Sequence, residues 1–232
     1  MNVVLAAAAT LVALAFAFST LDRWLRRGKP HELAWTVSLL MFAGGSLALW
    51  WAESFGWTLG SFRVFYLAGA ILNVPWLALG TVYLLNGATA GDRVKSWLMV
   101  LSGFAAGVVL FAPTKLAVVG GELPSGQEVF GAAPRVMAAV GSGVAAVVII
   151  VGALYSALWR RKGQPWMVWG NVLIALGTLV LSASGTFAGR LGKDRAFVVT
   201  LLVGIVVLFA GFLVAGGPRR RVTSTSGAAT SR

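Results

Sequence analysis

Of 232 residues, 58% are hydrophobic and 11% charged, and the mean hydropathy is +0.85; soluble domains carry about 25% charged residues, so a soluble globular class is excluded at once. The formal net charge of +12 would suggest nucleic-acid binding in a soluble protein. Here the basic residues sit in short clusters between long apolar runs, with no patch interleaved with aromatics, so no nucleic-acid partner is expected and the lipid bilayer is. The absence of cysteine excludes a disulfide framework, a thiolate nucleophile and a Cys-ligated metal.

Taken in chain order, seven apolar runs predict an all-α, polytopic membrane protein with seven transmembrane helices. They cover residues 3–19, 33–51, 62–85, 96–112, 136–158, 166–187 and 196–214. Each is long enough, or nearly so, to cross a hydrocarbon core of about 30 Å at 1.5 Å per residue. The first run lacks the basic flank of a signal peptide and is followed by Arg23, Arg26, Arg27 and Lys29, which predicts an uncleaved helix with its N-terminus outside. This orientation puts thirteen basic residues on the cytoplasmic side and six outside, with none at mid-membrane. The expected topology is therefore N-out and C-in, by the positive-inside rule.

The longest connector, residues 113–135, is expected outside. The tail 218–232 is basic and rich in Ser, Thr, Gly and Ala; it holds too little apolar surface to bury a core and is expected to be disordered. Arginine outnumbers lysine 14 to 5, a usage typical of GC-rich bacterial genomes, and the expected location is a bacterial inner membrane.

Two stretches recur. Arg26, Arg27 and Trp35 match Arg160, Arg161 and Trp169 at an offset of 134, and Arg63-Val64-Phe65 matches Arg195-Ala196-Phe197 at an offset of 132. The recurrence predicts a 3+1+3 plan, in which helices 1–3 and 5–7 are parallel repeats joined by helix 4. Chance similarity of apolar runs and basic helix ends is the alternative.

The densest polar and aromatic constellation lies around spans two and three: Trp50, Glu53, Trp57, Arg63 and Tyr66, then Asn73 and Pro75. Glu53 and Arg63 stand at one level on consecutive antiparallel helices and are expected to pair, because an unpartnered charge near hydrocarbon is costly. They would form either a small-ligand pocket or an interfacial belt. At mid-span, Pro75 frees a backbone carbonyl and Asn73 can bond a neighbouring helix, a combination suited to a hinge or to packing; Asn171 is the matching amide in span six. The small-xxx-small pairs Gly103/Gly107 and Gly185/Gly189 are expected to pack helices within the chain.

No catalytic or metal residue and no cofactor is predicted. Ser182-Ala183-Ser184-Gly185 resembles the serine motif of rhomboid proteases, but the leading glycine is missing and no intramembrane histidine can serve as base. The single histidine, His31, lies beside a basic connector.

The plan is similar to that of the opsin, PQ-loop and SWEET families, without their motifs: the last span has no lysine, and Gln164-Pro165 reverses the Pro-Gln order. Residues 42–85, through Trp50, Glu53, Tyr66, Leu67, Gly69 and Pro75, resemble part of the seven-helix sensor region of some bacterial histidine kinases. That resemblance implies a sensing role, here with a tail too short for a kinase domain, so that the module would signal through a membrane-protein partner or simply bind something. The expectation is a non-enzymatic, small-molecule-binding or sensing module; a small-solute transporter and a structural or assembly partner are the alternatives.

Overall fold

The computed structural model describes residues 2–114, 123–159, 165–191 and 194–215. The residues singled out above that fall elsewhere, Arg160, Arg161, Lys162, Lys115 and the tail 218–232 among them, lie outside the described residues, as do the side-chain surroundings of Ser182, Ser184, Gly185, Gly189 and Arg195.

The first helix, α1 (Asn2–Arg27), spans 26 residues, about 39 Å. It ends with Arg26 and Arg27 in its last turn, where cations oppose the negative end of the helix dipole. Gly28 follows at φ +63°, its N–H bonding the Trp24 carbonyl at 2.7 Å. Pro30 then opens α2 (Pro30–Phe55), where its missing N–H costs nothing. The joint is thus only Gly28 and Lys29, and both helices run well past the apolar segments read from sequence.

A second positive-φ glycine, Gly56, closes α2. A reciprocal Thr58/Ser61 capping box starts α3 (Leu59–Val64). This runs without a break into a π-helical segment (Phe65–Leu72) and then into α4 (Asn73–Phe111).

The backbone of α4 leaves the helical region at Gly87, with φ +82° and ψ −179°, and the chain reverses there. Trp76 Nε1 donates to Ser102 Oγ at 3.2 Å, Leu79 and Tyr83 pack with Leu98, and the Tyr83 hydroxyl donates to Asp92 at 2.8 Å. At the other end Arg63 Nη2 donates to the Ala112 carbonyl at 3.2 Å. As one partner rises in number the other falls, which defines an antiparallel hairpin of limbs 59–86 and 88–111. Spans three and four are these limbs. The connector expected over 86–95 is helical apart from Gly87, because a polar helix turn beyond an apolar run satisfies its own backbone.

After the short α5 (Gly126–Val129) come α6 (Ala132–Trp159), α7 (Pro165–Leu191) and α8 (Asp194–Ala215). Neighbours form a closed circuit: α1 packs on α2, α2 on the first limb, the first limb on α6, α6 on α7, α7 on α8, and α8 on α1. The second limb leans on the first from outside the circuit. Gly80 lets Trp35 seat its ring directly on the first limb, while Phe16 of α1 stacks on Phe209 of α8.

The described residues thus form an all-α protein of seven long helical rods. Val3–Arg27, Pro30–Phe55, Leu59–Phe111 and Ala132–Ser156 are long and apolar enough to cross a membrane, and Val168–Leu181 and Val198–Val214 are shorter apolar stretches. Val4, Leu11, Phe18 and Leu25 form an exposed stripe on α1 at steps of seven, and Val136, Val140, Val147 and Leu154 form one on α6. Helices with an apolar outer as well as inner face belong in lipid; this is a multi-pass membrane protein. One packing expectation is corrected: among the described residues nothing lies within 4 Å of a Cβ built on Gly103 or Gly107, so this pair packs against no other described helix. It belongs to the peripheral limb.

Candidate functional site

At one end of the bundle the chain turns from α2 into α3, and five aromatic rings assemble. Trp57 packs against Phe62 and Phe65, with ring centres 5.8 and 5.6 Å apart. Phe62 meets Phe130 at 5.4 Å, and Phe130 meets Tyr66 edge-on at 5.1 Å. Trp57, Phe62 and Phe130 are fully buried. The helical spacing of Phe62, Phe65 and Tyr66 puts three rings on neighbouring faces of one rod. The Ser125/Glu128 capping box holds α5, and Gly126 lets that segment close on the Tyr66 ring.

The sequence constellation is thus brought only partly together. Trp57 and Tyr66 belong to the assembly, whereas Trp50 packs half-buried against the core and turns its ring to Phe55 at 6.5 Å. Glu53 lies in the last turn of α2, half-buried. Arg63 reaches across to the Ala112 carbonyl that ends the second limb. The hairpin brings that carbonyl within reach, which residue spacing along α2 and α3 cannot reveal. Two donors, Trp57 Nε1 and Arg63 Nε, are buried without a hydrogen-bond partner.

Deeper in the same rod, the Ser38 hydroxyl of α2 donates to the carbonyl of Asn73 (2.9 Å) and to its side-chain oxygen (2.7 Å). Ser142 of α6 donates to the Ala70 carbonyl at 2.7 Å. Pro75, with no N–H, cannot close a bond on Ile71, and the preceding turns widen into the π segment, whose end is bonded Asn73 N–H to Ala68. Asn73 is buried. Asn171 sits half-buried on α7 and takes no part in this network.

Sequence reasoning missed a buried carboxylate at the opposite end. Glu32, in the first turn of α2, is 3% exposed, with Arg27 at 3.9 Å. Below it, the Thr36 hydroxyl donates to Thr20 at 2.9 Å. These charges lie in the helix ends that flank the α1–α2 joint, outside the apolar runs 3–19 and 33–51. The available signal was a glutamate two residues after a helix-opening proline, downstream of an arginine cluster.

Among the described residues no group of three or more His, Cys, Asp or Glu could hold a metal ion. No family model matches the chain, and no match was found among curated proteins or solved structures.

Proposed function

We propose that this chain is a non-enzymatic bacterial inner-membrane protein that binds or senses a small molecule at the Trp57 end of the bundle. The observation that carries the reading is two buried, unpartnered donors at this end, Trp57 Nε1 and Arg63 Nε, the first on an indole packed against aromatic rings. Buried donors are almost always satisfied in native proteins, and one of these two is cationic. A small carboxylate or phosphate with an apolar body would supply acceptors to both and stack on the rings. The resemblance of residues 42–85 to kinase-associated sensor regions points the same way.

The proposal includes a seven-span topology, N-out and C-in, with the Trp57 end outside; the charge distribution supports it. It also includes the 3+1+3 repeat. Exchanging α1, α2 and the first limb for α6, α7 and α8 maps every neighbour pair of the circuit onto another, as a two-fold relation between parallel repeats requires. A transporter is the second reading, favoured by the helix interruption at Asn73 and Pro75, where Ser142 of one triplet reaches a carbonyl of the other.

The test is a thermal-shift screen of the purified protein with benzoate, indole-3-acetate, phenyl phosphate and inorganic phosphate. A binding anion at a hundred times its Kd stabilises by about 2.7 kcal/mol. That shift is expected to vanish in Trp57→Phe and Arg63→Gln. Variants that only lose stability, beside a wild type that answers none of the four anions, sink the reading; uptake of an anion into vesicles would favour the transporter.

A further inference from the structure

The π-helical segment Phe65–Leu72 joins two parts of one rod that are held by different neighbours. Towards the Trp57 end, Phe62, Phe65 and Tyr66 are held by the aromatic assembly and Arg63 by Ala112. Beyond it, Asn73 is held by Ser38 and Gly80 by Trp35. In π geometry each N–H reaches back five residues instead of four. The segment therefore contains one residue more than an α-helix joining the same two ends.

At this depth in a bilayer the carbonyls of a widened turn need partners, and two serines from different helices bond carbonyls here: Ser142 to Ala70 inside the segment and Ser38 to Asn73 just beyond it. Neither hydroxyl is part of the rod, so each holds the wide register from outside. Gly45 of α2 faces Gly69 so closely that a Cβ on Gly45 would lie 3.2 Å from the Gly69 backbone. This approach leaves no side chain between the two backbones to block a slide.

We propose that residues 65–72 are a register switch, in which conversion from π to α turns the aromatic end of the rod against the Asn73 end, with Ser142 and Ser38 as the latch for the π register. Passing the spare residue through the segment rotates one part against the other by about 100° and shifts it by about 1.5 Å. The device would link the Trp57 end to the bundle centre whatever occupies that end, and its test needs no ligand, so it stands or falls apart from the binding proposal.

The chain has no cysteine, so spin labels on Val4→Cys and Val64→Cys, both on exposed positions, report the register by pulsed electron resonance in nanodiscs. A 100° turn moves a side chain on a helix about 10–12 Å wide by about 8 Å. Ser142→Ala and Ser38→Ala are each expected to populate a second distance displaced on that scale. Deletion of Ala68 removes the spare residue; it is expected to keep the first distance alone, also when combined with Ser142→Ala. A single, unchanged distance in both serine variants overturns the switch, as does a deletion variant with a new distance. Amide exchange of the unlabelled wild type covers variants that fail to fold. Residues 66–74 are expected to exchange about tenfold faster than residues 39–49 of α2, and equal protection overturns the switch.

Discussion

Trp35 is held on three sides: its ring lies on the backbone of Gly80, 4.6 Å from the Phe212 ring and 5.1 Å from His31. A methyl group at position 80 would fall inside that ring, and a buried, thrice-contacted indole has nowhere to move. Gly80→Ala is therefore expected to cost about 1–3 kcal/mol through overpacking, read as a lower unfolding temperature in detergent. Gly103→Ala is the contrast, since open space surrounds it; removing a mid-helix glycine there is expected to gain about 0.5–1 kcal/mol. Equal responses at the two positions would contradict the packing. Residue types near the ring assembly were readable as a cluster of aromatics, but the partner of Arg63 was not. Its acceptor is a backbone carbonyl, which has no signature in the sequence, 49 positions along the chain.

At the scale of elements, the punctuation is carried by glycines. Gly28, Gly56 and Gly87 are the only positive-φ residues among those described, and each lies at a reversal of the chain. The conformation of Gly87, φ +82° with ψ −179°, is one essentially confined to glycine. Gly87→Ala is expected to destabilise by about 1–3 kcal/mol and to loosen the second limb first. Limited proteolysis at the hairpin tip should then accelerate relative to wild type, and an unaltered rate would show that the reversal does not depend on this residue. The apolar runs 62–85 and 96–112 located the two limbs. What sequence patterning could not supply was the π segment within the first of them. Pro75 signalled a break, but whether the freed carbonyls kink the rod or widen it depends on Ser38 and Ser142, which approach from other helices.

For the whole molecule, orientation is the property with the clearest test. Gly60 and Thr89 are both exposed and lie at opposite ends of the first rod and its hairpin. In intact cells, a membrane-impermeant maleimide is expected to label Gly60→Cys and to leave Thr89→Cys unlabelled until the membrane is broken. The reverse pattern would overturn the N-out assignment. The absence of native cysteine gives both experiments a clean background.

The sequence by itself determined that the chain is helical, multi-pass and lipid-bound, and roughly where its rods lie. Those properties follow from local quantities: the length of an apolar run against the thickness of a bilayer, and the energy of leaving backbone groups unbonded in hydrocarbon. The tertiary structure decided which residues meet. It took Arg63 to Ala112, buried Glu32 beside Arg27, and left Gly103 and Gly107 without a close neighbour among the described residues. Such choices depend on how rods rotate and pair. In lipid the hydrophobic effect gives little preference among apolar faces, so close backbone approach and a few hydrogen bonds decide them. Those contacts join positions far apart in the chain, and no local pattern records them.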